Sequence, residues 1–449
     1  MAATLSQPDG CACSKEPAHK PPPPAREPAR DGPRLAILSR DPSEDPMAEL
    51  WDPLAPEFVR DPYACYARLR SEDPVHYVET PGFRFFLVTR YEDVLAVLRD
   101  PAYSAQKFPE QLVADAMAGP DPSFAALARA VSGMMLIKDP PDHTRLRALV
   151  SKAFTPRVVE GLRARIEAIV DELLDGAAKA GGMDAIGEFA APLPVIVIAE
   201  LLGVPAADRE KFKRWSDEMV PFIDGTLRAS GLVQAARGAQ ALEAYFRDFI
   251  EVRRKDPRSD LMSGLIAAHE RDDALSQTEL VATAILLLGA GHETTTNLIG
   301  NGLLALLRHP REWGRLRREP GLVKSAVEEL LRFDSPVQLT SRIPRRDVTL
   351  RGCRMAAGVE VNVVLGAANR DPLEFPDADR LDLARAENRH VAFGHGPHFC
   401  LGAPLARLEA QVAFSRLVER FPSLRAASQE ESRRPGLVLR GLAALPVFF

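Results

Sequence analysis

Cysteine is scarce in this 449-residue chain: Cys11, Cys13, Cys65, Cys353 and Cys400 are the full complement. An odd, scattered set argues against a disulfide framework and for a reducing compartment. Long apolar runs are missing too. The most apolar stretch, 281–290, is closed by His292 and Glu293, well short of the roughly 18 residues a membrane span requires. The N-terminus lacks the charged start, apolar middle and cleavage site of a secretory signal. Charge is not one-sided: 57 Lys and Arg against 62 Asp and Glu leave a net −5, which gives no basis for nucleic-acid binding or a basic membrane surface. No aromatic residue precedes Trp51, and residues 1–46 hold ten of the 38 prolines. Such a segment cannot bury enough apolar surface to offset chain entropy and reads as a disordered extension. Cys11 and Cys13 lie inside it with no second ligand pair, so a metal or redox role for them is the weaker reading. The remainder, 47–449, has the composition of a globular cytoplasmic enzyme.

What is present concentrates at two places. The first is Phe393-Gly394-His395-Gly396-Pro397-His398-Phe399-Cys400-Leu401-Gly402. The glycines allow unusual backbone angles and let something flat or bulky approach closely. Pro404 suits the first turn of a helix, and Leu405, Leu408 and Val412 follow at helical spacing. Cys400 then sits just before a helix N-terminus, where free N–H groups favour the thiolate. On these residues alone the thiolate can be a nucleophile, a redox thiol or a metal ligand.

The second place is a predicted helix running from 277 to Arg308, about 48 Å long at 1.5 Å per residue. Ser276 and Glu279 form a capping box at its start. So long a helix, apolar on most sides over 285–288, must cross the centre of the molecule. Its middle, Gly289-Ala290-Gly291-His292-Glu293-Thr294-Thr295-Thr296, is poor helix material, and a threonine hydroxyl can bend or widen the backbone ladder. A charged Glu293 there is costly unless paired or solvated. Local rules broken together mark a functional site; the bland alternative is a glycine kink for packing.

Elsewhere the signals are weaker. Short strands are expected at 75–78 and 83–88 around a Pro81-Gly82 turn, and near 348–350 and 359–364. Residues 104–137, broken by Pro109, Gly119, Pro120 and Pro122, read as a long, partly ordered loop. A helix from His143 to Phe154 puts His143 and Arg147 on one face, by itself most simply a solvated basic face. Amphipathic helices fill 156–268. Glu329 and Arg332 share a face of a helix over 322–333, and a final hairpin is expected near 439–442.

Taken together, these stretches resemble the cytochrome P450 family, in its soluble bacterial form, from about Trp51 to Phe449. The loop from Phe393 to Gly402 matches the family pattern F-G-x-G-x-H-x-C-x-G throughout; Ala290-Gly291-His292-Glu293-Thr294-Thr295 is similar to the oxygen-activation motif; Glu329 and Arg332 resemble the core-stabilising pair, which Arg385 would complete. The resemblance implies a mainly α fold with small β-sheets (α+β): a single triangular helical domain, 47–449, holding heme between the long central helix and the Cys-loop helix. It implies heme b (iron protoporphyrin IX) with Cys400 as axial thiolate; Phe393, Gly394, Gly402, Ala290 and Gly291 around the cofactor; and His398, Arg342, His143 and Arg147 as propionate partners, which gives His143 and Arg147 a reason to be buried. Glu293 and Thr294 would be the acid–alcohol pair that feeds protons and steadies O2, with a gap in the helix at Ala290-Gly291 giving O2 space. The implied reaction is insertion of one oxygen atom of O2 into an apolar small molecule, a terpenoid, fatty acid, steroid or polyketide-like metabolite. Electrons would come from NAD(P)H through a ferredoxin or flavodoxin and its reductase, since nothing in the chain resembles a flavin or iron–sulfur domain. A monomer without membrane or nucleic-acid partners is expected. Position alone nominates Ile285, Leu286, Val337, Leu339 and Leu442 as substrate contacts.

Rival readings fare less well. A heme sensor or electron carrier has no need of Glu293 and Thr294, and a peroxide-driven hydroxylase of the same fold typically lacks that pair. A zinc site from His390, His395, His398 and Cys400 leaves the intervening Gly and Phe unexplained. A cysteine hydrolase lacks an acid to orient His395 or His398.

Overall fold

The computed structural model describes residues 51–80, 83–224, 229–272 and 275–449. The proline-rich 1–46 segment, with Cys11 and Cys13, and the Pro81-Gly82 turn lie outside them. The described residues are mainly helical, with small sheets.

Packing is organised on the helix Gln277–Arg308, which has the predicted extent. The Ser276 side chain accepts from the Glu279 N–H at 3.1 Å, and Glu279 Oε2 accepts from the Ser276 N–H at 2.8 Å. Together they satisfy two donors that a helix start leaves orphaned. Leu280, Leu288, Ile299, Leu303 and Leu306 are fully buried or nearly so, each contributing roughly 2 kcal/mol through the apolar area removed from water. The helix packs on Pro122–Gly133, Pro192–Leu202 and Ala403–Arg420.

Residues 104–137 depart from expectation. They hold two helices, Glu110–Ala118 and Pro122–Gly133, in place of a loop. Gly119 and Pro120 interrupt the chain once, and Asp121 then caps the second helix, accepting from the Ser123 N–H at 2.9 Å with Pro122 in the first turn. Small residues let this helix lie close to the central one: a Cβ on Gly133 would sit 2.5 Å from Cβ of Ala282.

The largest sheet runs, in spatial order, Val75–Thr80, Phe83–Val88, Glu360–Val363, Thr340–Pro344 and Tyr103–Ser104. Thr340–Pro344 pairs antiparallel with Glu360–Val363, Arg342 facing Val361. Near the C-terminus, Leu442–Ala444 returns on Ser432–Arg433, so the expected hairpin has its arms further apart than 439–442. Leu439 instead bridges Val337. Among the described residues one stretch, Ala185–Leu202, is long and apolar enough to cross a membrane, but 61% of it is buried inside the protein. Phe189, Leu193 and Leu202 have no exposed surface, and a core helix accounts for its composition.

Candidate active site: a cysteine loop, a cation cluster and an uncovered helix stripe

The cysteine loop is closed by backbone hydrogen bonds. The Cys400 N–H donates to Phe393 O at 2.9 Å, and the Gly394 N–H to Val391 O at 2.8 Å. Gly394 and Gly396 take φ of 70° and 72°, where a side chain is strained. A Cβ on Gly396 would also lie 2.7 Å from the Leu98 carbonyl oxygen. The helix Ala403–Arg420 starts directly after Gly402, with Pro404 in its first turn. Burial pushes the Cys400 thiol above its ordinary range, while the N–H groups of Gly402 and Ala403 and the charges of Arg147 and Arg407 pull it back. Burial therefore outweighs the helix-terminus effect expected from sequence. The Arg407 guanidinium lies 4.6 Å from the Phe393 ring centre.

Beside the loop, two guanidinium groups and two imidazoles converge. The His143 and His398 rings lie 4.0 Å apart. Burial, then the neighbouring His143 and Arg342, push His398 down to about 3. Burial, then Arg147, lower His143 as well. Arg342 is buried on its strand, and its guanidinium donates to the Ser341 carbonyl at 2.8 Å. Arg147 donates to the Phe399 carbonyl at 2.7 Å. The carboxylate acting on these groups, Asp139, is already paired with Arg345 at 2.6 Å. His143 Nδ1 is buried without a hydrogen-bond partner. A ligand carrying two carboxylates fits this cluster and would satisfy the orphaned nitrogen. Lys107, which no local signal singled out, belongs here too: its ammonium faces Arg342 and Glu360, with burial the largest cause of its lowered pKa.

On the central helix, Leu286, Ala290 and Thr294 recur at i, i+4, i+8 and are left partly or wholly uncovered, although Leu287, Leu288, Glu293 and Thr295 around them are buried. An uncovered stripe in the middle of a core helix borders open internal space. No gap opens at Ala290-Gly291: the helix is continuous. The threonines are accommodated by back-bonding, Thr294 Oγ1 donating to Ala290 O at 2.9 Å and Thr295 Oγ1 to Gly291 O at 3.2 Å. A Cβ on Gly291 would meet Ile198 at 3.2 Å, so this glycine faces the Pro192–Leu202 helix and serves close packing. Glu293 is buried and paired, its Oε1 lying 2.7 Å from Arg434, which also donates to Asn297 Oδ1 at 3.0 Å. Sequence spacing gave no hint of Arg434, which comes from 141 positions away along the chain.

Glu329, Arg332 and Arg385 come together. Arg332 and Glu329, both with no exposed surface, form two hydrogen bonds of 2.8 Å. Arg385 Nε lies 3.1 Å from Glu329 Oε2, and Asn388 and the Asp382 N–H complete the carboxylate's partners. Arg332 further donates to the carbonyls of Asn369 and Ala378, tying its helix to the segment that leads into the cysteine loop.

Among the nominated substrate contacts, Leu286 lies on the uncovered stripe and Val337 is half-buried. Ile285 and Leu442, each 1% exposed, belong to the main core cluster, and Leu339 is buried; one residue of helical offset, 100°, separates Ile285 from the stripe. Among the described residues, His390, His395, His398 and Cys400 do not converge as a ligand set; His390 is bound to Glu328 at 3.0 Å. A groove of about 550 Å³ between Ile166, Val197 and Leu261 contains none of the site residues.

Comparison with known proteins finds relatives over most of the chain. The family described as Cytochrome P450 matches residues 218–441. Cytochrome P450 107B1 of Saccharopolyspora erythraea is 46% identical over 399 residues, covering 87% of this chain and 95% of the relative. Vitamin D(3) 25-hydroxylase of Pseudonocardia autotrophica is 46% identical over 397 residues, covering 87% and 94%. The crystal structure of P450BioI in complex with hexadec-9Z-enoic acid ligated acyl carrier protein superposes with a TM-score of 0.81 at 39% identity, covering 88% of this chain and 99% of that one. The chain belongs to the cytochrome P450 family, and is a heme-thiolate monooxygenase that uses heme b, O2 and NAD(P)H-derived electrons passed on by a redox partner.

Proposed function

We propose that Cys400 would supply the thiolate ligand of the heme, that His143, Arg147, Arg342 and His398 would hold its two propionates, and that Glu293 and Thr294 would move protons. The observation that carries this reading is the cluster of two arginines and two histidines beside the cysteine loop, with its buried, unpartnered His143 Nδ1. When bound, heme b supplies oxygen activation, and thiolate donation favours O–O cleavage. The chain's part is to place and protonate. The N–H groups of Gly402 and Ala403 hydrogen-bond the sulfur and tune its donation. Thr294 Oγ donates its hydrogen to Ala290 O, which leaves its lone pairs turned to the uncovered side, where they can accept from water. Glu293, held by Arg434 on one oxygen, keeps the other free to carry a proton.

The substrate we propose is an apolar metabolite of the fatty-acyl, steroid or polyketide kind, lying along Leu286, Ala290 and Thr294 near Val337. Support comes from the apolar character of that stripe and from the relatives' names, which carry vitamin D(3) and a hexadecenoic acyl group. A ferredoxin or flavodoxin with its reductase is the proposed electron source, and a cytoplasmic monomer the working form.

The test is heme retention. Arg342→Leu with His143→Leu removes two charge-assisted hydrogen bonds of roughly 1.5–3 kcal/mol each, so heme transfer to a scavenging apo-globin should accelerate at least about tenfold. Unchanged retention contradicts the propionate assignment.

A further inference from the structure

His292 sits next to Glu293 on the central helix and is 2% exposed. Its Nδ1 lies 3.0 Å from the Leu288 carbonyl oxygen and 3.4 Å from Ser216 Oγ; in the tautomer that donates to Leu288, Nε2 is a bare lone pair. That Nε2 is buried and makes no hydrogen bond. It faces two more acceptors, Asp217 Oδ1 at 3.5 Å and Glu293 Oε2 at 3.9 Å. In that tautomer three acceptors converge, an arrangement that a proton on Nε2 or a metal cation between them relieves.

We propose that Asp217, His292 and Glu293 form a binding site for a Zn²⁺ ion, and that its occupancy restrains Glu293. The three ligand atoms lie within 4.8 Å of one another. Tetrahedral zinc with bonds of about 2.0–2.1 Å holds its ligand atoms about 3.3 Å apart, so a small inward rotation completes the site. The outer partners of a metal site are already in place. The second ring nitrogen of His292 is engaged by a backbone carbonyl, Asp217 Oδ2 lies 2.6 Å from Lys213 Nζ, and Glu293 Oε1 is held by Arg434. One imidazole and two carboxylates suit zinc over magnesium or calcium, which take oxygen ligands. Asp217, 43% exposed, gives the ion a path from solvent and leaves a coordination position open. Lys213 and Arg434 offset both carboxylate charges, which favours a moderate, exchangeable affinity over a permanent structural ion.

Binding itself is independent of the role proposed for Glu293; the effect on turnover rests on it. Heme-loaded full-length protein in a Cys11→Ser/Cys13→Ser background, stripped with chelator, is titrated with Zn²⁺ by calorimetry. One ion per chain is expected, at least tenfold weaker in His292→Gln and in Asp217→Asn, with the CO-bound Soret position unchanged in both. Absence of binding in the parent, or equal binding in the variants, overturns the site. In turnover, Zn²⁺ should suppress product formation in the parent and leave the residual activity of His292→Gln unaffected. His292-dependent zinc binding without suppression upholds the site and overturns Glu293 as proton donor.

Discussion

At the scale of single residues, function turns on which way a side chain leaves a helix. Thr294 and Thr295 are adjacent and both bond back to the carbonyl four residues earlier, yet Thr294 borders open space and Thr295 is buried. Only the first can meet a ligand. Thr294→Ala should therefore keep heme and substrate binding while the fraction of NAD(P)H electrons recovered in product falls several-fold, the rest leaving as peroxide or water. Coupling measured as product formed per NAD(P)H consumed checks this, and unchanged coupling removes the role proposed for Thr294. The motif residues themselves were legible in the sequence, because two glycines and three threonines inside an apolar helix violate local preference. Their facing was not. The resemblance implies room for a ligand at Gly291, which in the structure packs against Ile198; Ile285 and Leu286 differ by one position, and the first is buried in the core while the second is partly uncovered.

At the scale of elements, the central helix was readable end to end because its cap, its apolar run and its terminating Pro310 all agree. Residues 104–137 read as a loop because Pro109, Gly119, Pro120 and Pro122 interrupt the pattern, whereas Asp121-Pro122 is a helix start. The closeness of that helix to the central one is a tertiary fact with no local trace. Gly133→Ala should destabilise the protein by about 1–3 kcal/mol through overpacking against Ala282. The double variant with Ala282→Gly should recover more than the sum of the single effects allows, seen as a favourable coupling energy in denaturant unfolding. Strict additivity would show that the two helices do not meet as described. At the start of the central helix, Ser276→Ala removes the acceptor for the Glu279 N–H and should cost about 1 kcal/mol in the same assay.

At the scale of the whole molecule, buried charge networks join segments far apart in sequence, and these were the least legible features. Helical spacing puts Glu329 and Arg332 on one face, but Arg385 enters only through the family pattern, and nothing in the sequence points to Asp334. Asp334 accepts from Arg440 at 2.7 Å, Arg433 at 3.3 Å and the Tyr63 hydroxyl at 2.9 Å, linking the N-terminal, central and C-terminal parts of the fold. Burial alone would raise its carboxyl; Arg440 and Arg433 more than reverse that and hold it at about 2, below the ordinary 3.8. A carboxylate depressed on folding binds fewer protons in the native state, so its contribution is present in full above the unfolded value. It is lost as pH falls through about 2. The shift corresponds to roughly 2 kcal/mol. Asp334→Asn also leaves the buried Arg440 guanidinium without its carboxylate, while Arg433 keeps Glu431, and should cost about 3–5 kcal/mol at neutral pH. The gap between wild type and variant in urea midpoint should hold from pH 7 to about 4 and narrow below it; a gap that shrinks between pH 7 and 5 contradicts the assignment.

The account depends above all on Cys400 being the thiolate ligand of a heme. The direct measurement is the absorption spectrum of the reduced, CO-bound protein, recorded for the wild type and for Cys400→Ala. The wild type should show the red-shifted Soret band of thiolate-ligated heme, and the variant should lack it. A histidine-type or heme-free spectrum in the wild type, or a red-shifted band that survives in Cys400→Ala, would contradict it.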